Sequence, residues 1–209
     1  MKLVFLSDTH CKHNKIKVPE GDCFIFCGDM SYRGDIQEIN DFVFFLKKLS
    51  HKHKIVIAGN HDFCFEDERR VQAEELIKSA GAEYLNDSGI EIEGIQFWGS
   101  PIQPYFFNWA FNRQRGEDIK KHWDFIPLET EVLITHGPPK GILDRTKNNE
   151  EAGCEELLKK VMKVKPKIHA FGHIHEGYGM LQKEGTTFIN ASSLNFRYQY
   201  TNPPVEWEL

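Results

Sequence analysis

Seven short runs rich in β-branched and aromatic residues punctuate this 209-residue chain, and several are apolar at every position. They are Leu3–Ser7, Cys23–Cys27, Lys54–Ala58, Glu91–Trp98 (broken at Gly94), Glu131–Thr135, Lys167–Phe171 and Thr186–Asn190. Runs such as Ile55-Val56-Ile57-Ala58 and Val132-Leu133-Ile134 lack the alternation of a half-exposed strand, so both of their faces must be covered. The covering elements are written between them. Helical patterns run over Asp35–Leu49, with apolar Ile36, Ile39, Phe42, Val43 and Leu46, and over Glu66–Ser79, closed by Gly81. Two more span Arg113–Trp123 and Gly153–Val164, the latter stopped ahead of Pro166. Alternating strands and helices predict α/β layers. The last third is richer in strands, which predicts a second sheet packed on the first.

No repeat, low-complexity tract or linker interrupts the pattern, so the sequence predicts one domain over residues 1–209. Hydrophobic residues at 40% and charged residues at 27% are globular values. The net charge of −5, without a long run of Lys or Arg, argues against a general grip on duplex nucleic acid, and no stable nucleic-acid complex is expected. Leu3–Leu6 is too short an apolar run for a signal-peptide core or a membrane span, and no later stretch is long enough to cross a bilayer, so the expectation is a cytoplasmic protein without membrane contact. Five scattered cysteines (Cys11, Cys23, Cys27, Cys64 and Cys154) match no zinc or redox spacing and read as small apolar residues in a reducing compartment. Cys11 and Cys64 lie close in sequence to polar strand-end motifs, where oxidation could matter. Nothing in the sequence specifies an oligomer.

The polar residues that end the strands carry the chemistry. The first run ends in Asp8-Thr9-His10, the second in Gly28-Asp29 and the third in Gly59-Asn60-His61-Asp62. The fifth ends in His136-Gly137-Pro138-Pro139 and the sixth in Gly172-His173-Ile174-His175. Strand C-termini in α/β sheets converge on one edge, where binding sites form. Two Asp, one Asn and four His are thereby delivered to one region, besides His61 and Asp62. Carboxylate and imidazole donors without thiolates suit Mn, Fe, Ni or Zn in a reactive site better than Ca, Mg or a structural zinc. Asp8 and His10 can reach one ion, and a carboxylate such as Asp29 can bridge two ions with its two oxygens. Paired ions ~3.5–4 Å apart can make hydroxide from a shared water and neutralise phosphoryl oxygens.

Taken in order, Asp8-Thr9-His10, Gly28-Asp29, Gly59-Asn60-His61-Asp62, Thr135-His136-Gly137 and Gly172-His173-Ile174-His175 resemble the calcineurin-like metallophosphoesterase superfamily. Lys54–His61, Thr135–Pro139, Gly172–Gly179 and Thr201-Asn202-Pro203-Pro204 also look like the small metallophosphoesterase-domain phosphodiesterases of animals and bacteria. The resemblance implies a four-layer αββα sandwich, two central β-sheets flanked by helices. It implies one ion held by Asp8, His10 and His175 and a second by Asn60, His136 and His173, with Asp29 bridging. It further implies His61 as proton donor to the leaving oxygen, oriented by Asp62. The two divalent transition-metal ions are expected to be manganese, with iron, nickel or zinc as alternatives.

The expected reaction is hydrolysis of small phosphodiesters, cyclic nucleotides among them, by hydroxide bridging the ions. Rival readings are a phosphomonoesterase or protein phosphatase on the same site, a nuclease, and a nucleotide-binding protein with vestigial activity. The aromatic segment Pro104–Phe111 reads either as packing beneath a loop or at a dimer surface, or as a wall on which a nucleobase stacks, with Phe63 and Phe65 beside it. Among the remaining histidines, His13 and His122 read as surface residues, His169 as strand filler, and His51 and His53 as part of a solvated helix end. Arg33, Arg113, Arg115 and Arg145 are placed to bind phosphate but read first as solvated surface charges.

Overall fold

The computed structural model describes residues 1–209 and places the apolar runs in two sheets. In chain order the elements are β1 (Lys2–Leu6), β2 (Cys23–Cys27), α1 (Ile36–Lys48), β3 (His53–Ile57), α2 (Arg70–Lys78), β4 (Glu83–Tyr84), β5 (Ser88–Ile92) and β6 (Ile95–Ser100). They continue with β7 (Gln103–Pro104), β8 (Asn112–Arg113), α3 (Glu117–Asp124), β9 (Val132–Thr135), α4 (Glu155–Val164), β10 (Ile168–Phe171), β11 (Gly179–Lys183), β12 (Thr186–Asn190) and β13 (Val205–Glu208). The first sheet has the order β13-β1-β2-β3-β4 and the second β11-β12-β10-β9-β6-β5. Each has a parallel centre with antiparallel strands only at its edges.

Side-chain alternation along the central strands explains the layers. Leu3, Phe5, Cys23, Ile25, Ile55 and Ile57 point from the first sheet into the second, where Phe97, Val132, Ile134, Ile168 and Ala170 meet them in one apolar cluster. Their neighbours Val4, Leu6, Phe24, Phe26 and Val56 face outward and are covered by α1 and α2 through Ile39, Phe42, Leu46, Ala73 and Ile77. On the far side, Leu133, Phe171 and Phe188 pack in the same outer cluster as Ile119 and Trp123 of α3 and Leu157 and Val161 of α4. The result is the αββα sandwich implied by the motifs.

Several boundaries differ from the sequence reading for identifiable reasons. The second sheet begins at Ser88, well before the last third, because Gly94 (φ +82°) turns the predicted single run into the β5–β6 hairpin. Helix α2 starts at Arg70 rather than Glu66, since Glu66 closes a 3-10 turn over Phe63–Phe65 at φ −120°, where its carboxylate meets Arg113 at 3.0 Å and the Phe111 amide. Helix α3 starts at Glu117, after Gly116 at φ +86°, with Arg113 already spent in β8. The tail closes the first sheet by pairing β13 antiparallel to β1. No helix is long and apolar enough to cross a membrane.

Candidate metal centre

The loops that leave β1, β2 and β3 in one sheet and β9 and β10 in the other meet at a common edge. Their turns are sharp. Asp8 (φ +55°), His10 (+39°), Asp29 (+61°) and His173 (+67°) all occupy the left-handed region, which side chains other than glycine enter at a cost of about 1–3 kcal/mol. Four candidate ligands thus sit on left-handed backbone that the surrounding fold must hold in place. Asp8, His10, Asp29, Asn60 and His136 are buried, whereas His61, His173 and His175 are half-buried.

Donor atoms of Asp8, His10 and His175 lie within 4.8 Å of one another, and so do those of Asp29, His136 and His173. Asp29 joins the two groups. Its Oδ2 lies 3.4 Å from His136 Nε2 and 3.7 Å from His10 Nε2, while Oδ1 accepts the His61 amide at 2.9 Å. Its Oδ2 therefore faces both groups. Asn60 Oδ1 lies 2.9 Å from His136 Nε2, which brings the sequence-derived set of seven together.

The imidazoles are oriented for cation binding from behind. Nδ1 of His10 faces the Ser31 carbonyl at 3.2 Å, Nδ1 of His136 the Cys27 carbonyl at 2.9 Å, and Nδ1 of His175 the Asn195 carbonyl at 3.1 Å. A carbonyl only accepts, so each Nδ1 carries hydrogen and each Nε2 turns inward. His10 Nε2 is fully buried with no hydrogen-bond partner, an orphan acceptor that a cation would satisfy. Burial pushes His10 down to about 4 against the pull of Asp29, and burial with the nearby His136 pushes His173 down to about 3. Both are neutral donors at neutral pH. Burial opposes the charge on His136, yet the Asp29 carboxylate beside it raises it to about 9, so a cation bound here would compete with a proton. Burial alone would raise Asp8 and Asp29, but the imidazole of His175 for the one and those of His136, His61 and His10 for the other hold both carboxylates well below their usual range. Two buried carboxylates facing inward-turned imidazoles fit a pair of divalent cations.

Small residues let these groups approach. A Cβ on Gly172 would lie 2.1 Å from both Asp8 Oδ2 and Ser7 Oγ, and one on Gly59 would lie 2.3 Å from Asp29 Oδ1. Ser192 Oγ donates to Asp8 Oδ2 at 2.9 Å, and the His173 amide donates to the same carboxylate at 3.0 Å. Ser192 escaped the sequence reading because one serine after a strand carries no recognisable signal. The contact spans 184 residues.

The surroundings correct several expectations. His61 is not oriented by Asp62. Its Nδ1 donates to the Tyr32 carbonyl at 2.8 Å, its ring stacks on Trp109 at 4.1 Å, and Nε2 is left without a protein partner. The Asp62 carboxylate instead accepts the amides of Asp29, Met30, Gly59 and Ser31 and the Ser31 hydroxyl, tying the β2 and β3 loops together. Burial and the Asp29 carboxylate raise Asp62 to about 6 despite those donors. His13 and His51 are buried rather than solvated, and His122 is half-buried between Asp87 (2.6 Å) and the Arg113 Nε (3.1 Å). Phe65 is core. Arg113, Arg115 and Arg145 pair with Glu66, Glu155 and Glu151, leaving Arg33 at 6.0 Å from the Trp109 ring. The aromatic segment divides: Ala110 and Phe111 are buried, Trp109 covers His61, and Tyr105–Phe107 are exposed. Tyr198 packs on two of the candidate ligands, its ring 4.8 Å from His10 and 5.3 Å from His175.

The family model for calcineurin-like phosphoesterases matches residues 1–177. This chain belongs to that family. Metallophosphoesterase domain-containing protein 1 of Homo sapiens is 39% identical over 230 residues, covering 100% of this chain and 71% of that protein. A UPF0046 protein of Caenorhabditis elegans is 38% identical over 216 residues, covering 98% of this chain and 74% of its own length. The crystal structure of TT1561 of Thermus thermophilus shares the fold at a TM-score of 0.63 and 10% identity, over 99% and 97% of the two chains. As a calcineurin-like metallophosphoesterase, the protein is a hydrolase of phosphate esters that uses divalent metal ions.

Proposed function

We propose that the protein is a dinuclear-metal phosphodiesterase that acts on small phosphodiesters, cyclic nucleotides among them, in the cytoplasm. Asp8, His10 and His175 would hold one ion and Asn60, His136 and His173 the other, with Asp29 between them. The observation that carries this reading is the Asp29 Oδ2 atom set between His10 Nε2 and His136 Nε2. Manganese is the metal we favour, since the carboxylate and carboxamide oxygens suit it and the donor set contains no thiolate, while the four imidazoles also admit iron, nickel or zinc.

Two bound divalent ions supply a water acidified to near neutral pH and positive charge beside the phosphoryl oxygens. The chain's own part is to position and to transfer a proton. His61, with Nδ1 fixed by the Tyr32 carbonyl and Nε2 free, protonates the departing ester oxygen. Trp109 holds the imidazole plane and shields one of its faces from water. Asp62 acts as a positioning residue, keeping the Asp29 and Asn60 turns in register.

Charge favours a diester over a monoester. Asp8 and Asp29 pair only with imidazoles, and no Lys or Arg side chain joins the cluster. Such a site has little surplus positive charge for a dianionic monoester but enough for a monoanionic diester. The test compares bis-p-nitrophenyl phosphate with p-nitrophenyl phosphate on manganese-reconstituted protein, followed by cyclic nucleotides. Higher kcat/KM on the diester supports the reading. A preference for the monoester at equal metal loading sinks it.

A further inference from the structure

We propose that the pocket formed by Arg33, Phe63, Phe106, Phe107, Asn108 and Trp109 seats the nucleobase of a nucleotide ester whose phosphate lies at the metal centre. The inference deepens the phosphodiesterase reading and rests on it.

Three consecutive aromatic rings stand in the open next to a reactive site: Tyr105 and Phe106 are each 51% exposed and Phe107 71%. Large apolar side chains gathered on a surface mark a place where something binds. The chain displays them by a built structure rather than by slack. The Asn112 carboxamide accepts the Phe106 amide at 3.2 Å and donates to the carbonyls of Phe106 (3.2 Å) and Phe107 (2.8 Å). Phe107 is turned outward at φ +48°, and Phe106 and Phe107 meet edge to face at 4.6 Å. Ala110 and Phe111 root the segment in the core, and Glu66 fixes its base through the Phe111 amide and Arg113. A loop ordered before binding loses less freedom when it binds.

Beneath these rings lies an open pocket of about 370 Å³. Two of its lining residues adjoin the candidate centre. Trp109 forms part of its wall and stacks on His61, while Phe106 lies 6.5 Å from the His173 ring. A group in the pocket is therefore attached on the side of the ester that His61 faces. The lining is flat and aromatic, with one guanidinium and one carboxamide at its margin. A nucleobase answers all three features, offering a π face to the rings and a polar edge to Arg33 and Asn108. An aliphatic ester group would leave the two polar side chains unmatched.

The test titrates adenosine 5′-monophosphate, ribose 5-phosphate and inorganic phosphate into manganese-loaded full-length protein by calorimetry. The nucleotide should bind roughly tenfold or more tighter than ribose 5-phosphate, the contribution of one stacked base. Phe107→Ala and Phe106→Ala should each shrink that ratio several-fold, and Phe107→Trp should keep it. Both positions are exposed, so folding is not at stake. Equal binding of the two sugar phosphates by the parent protein, with manganese still bound, overturns the base subsite alone. Ratios unchanged in both alanine variants overturn it as well. If elemental analysis finds no manganese held by the protein, the metal-centre reading falls and the base subsite falls with it.

Discussion

The Asp62 carboxylate accepts the Asp29 amide at 2.9 Å and makes no bond to the ring of its neighbour His61. One buried anion thus fixes the backbone from which the central carboxylate of the site projects. Asp62→Asn replaces an acceptor oxygen with an amide among five donors, four backbone N–H groups and the Ser31 hydroxyl. Lost bonds to a charged group and an unsatisfied buried donor should together destabilise the fold by about 2–3 kcal/mol. Urea unfolding checks this, and metal affinity should fall alongside. A variant as stable as the parent, with low turnover only, would return Asp62 to a role in proton transfer.

Asp29 and His61 should separate under mutation. Asp29→Asn leaves a neutral group between His10 and His136, so occupancy of both metals should drop in elemental analysis. His61→Ala should keep both metals and lose roughly 10²–10⁴-fold in turnover, the usual worth of a positioned proton donor. The loss should be steep for alkyl esters and slight for p-nitrophenyl esters, whose leaving group departs unprotonated. Equal losses for both esters would exclude proton donation by His61.

The glycines that let the loops close offer a steric test. Gly172→Ala would drive a Cβ to 2.1 Å from Asp8 Oδ2, and Gly59→Ala to 2.3 Å from Asp29 Oδ1. Neither glycine has a positive φ, so any effect comes from space rather than backbone strain. Each substitution should cost about 1–3 kcal/mol of stability as an overpacked contact. Each should also lower metal affinity well beyond what that stability loss explains. Metal binding at parental strength in both variants would show that the loops move apart freely.

Much of this arrangement was legible because strands buried on both faces are apolar at every position and end in polar residues. Asp8, Asp29, Asn60, His136, His173 and His175 could be placed at strand ends from that contrast alone. The division into two sheets was harder to read, since β1–β3 and β9–β10 look alike in sequence, and partner choice depends on contacts far apart in the chain. Strand β13 hid for the same reason: Val205–Glu208 has no apolar run, and its place beside β1 is fixed by pairing. The supporting residues were the least legible. Ser192, Asn195 and the Tyr32 carbonyl act through one hydrogen bond each, and backbone acceptors leave no trace in side-chain chemistry.

His13 gives the fold a weak point in acid. Its ring is fully buried between Phe42 (5.3 Å) and Phe45 (5.2 Å), and neither nitrogen has a hydrogen-bond partner. Burial pushes it down to about 4, whereas an unfolded histidine titrates near 6.5. Between these values the unfolded chain binds the extra proton, so this contribution to stability is complete above pH 6.5 and is lost as pH falls toward 4. His169, pushed by burial to about 3, acts in the same direction and persists when His13 is changed. His13→Leu fills the same apolar space without orphan nitrogens, so at pH 8 the variant should match or exceed the parent in stability. Between pH 6.5 and 4 it should lose roughly 2 kcal/mol less than the parent, a part of the shift allowed by 1.36 kcal/mol per pKa unit. Urea midpoints for both proteins across that range check the prediction. Parallel pH profiles would mean that the His13 ring is hydrated in solution.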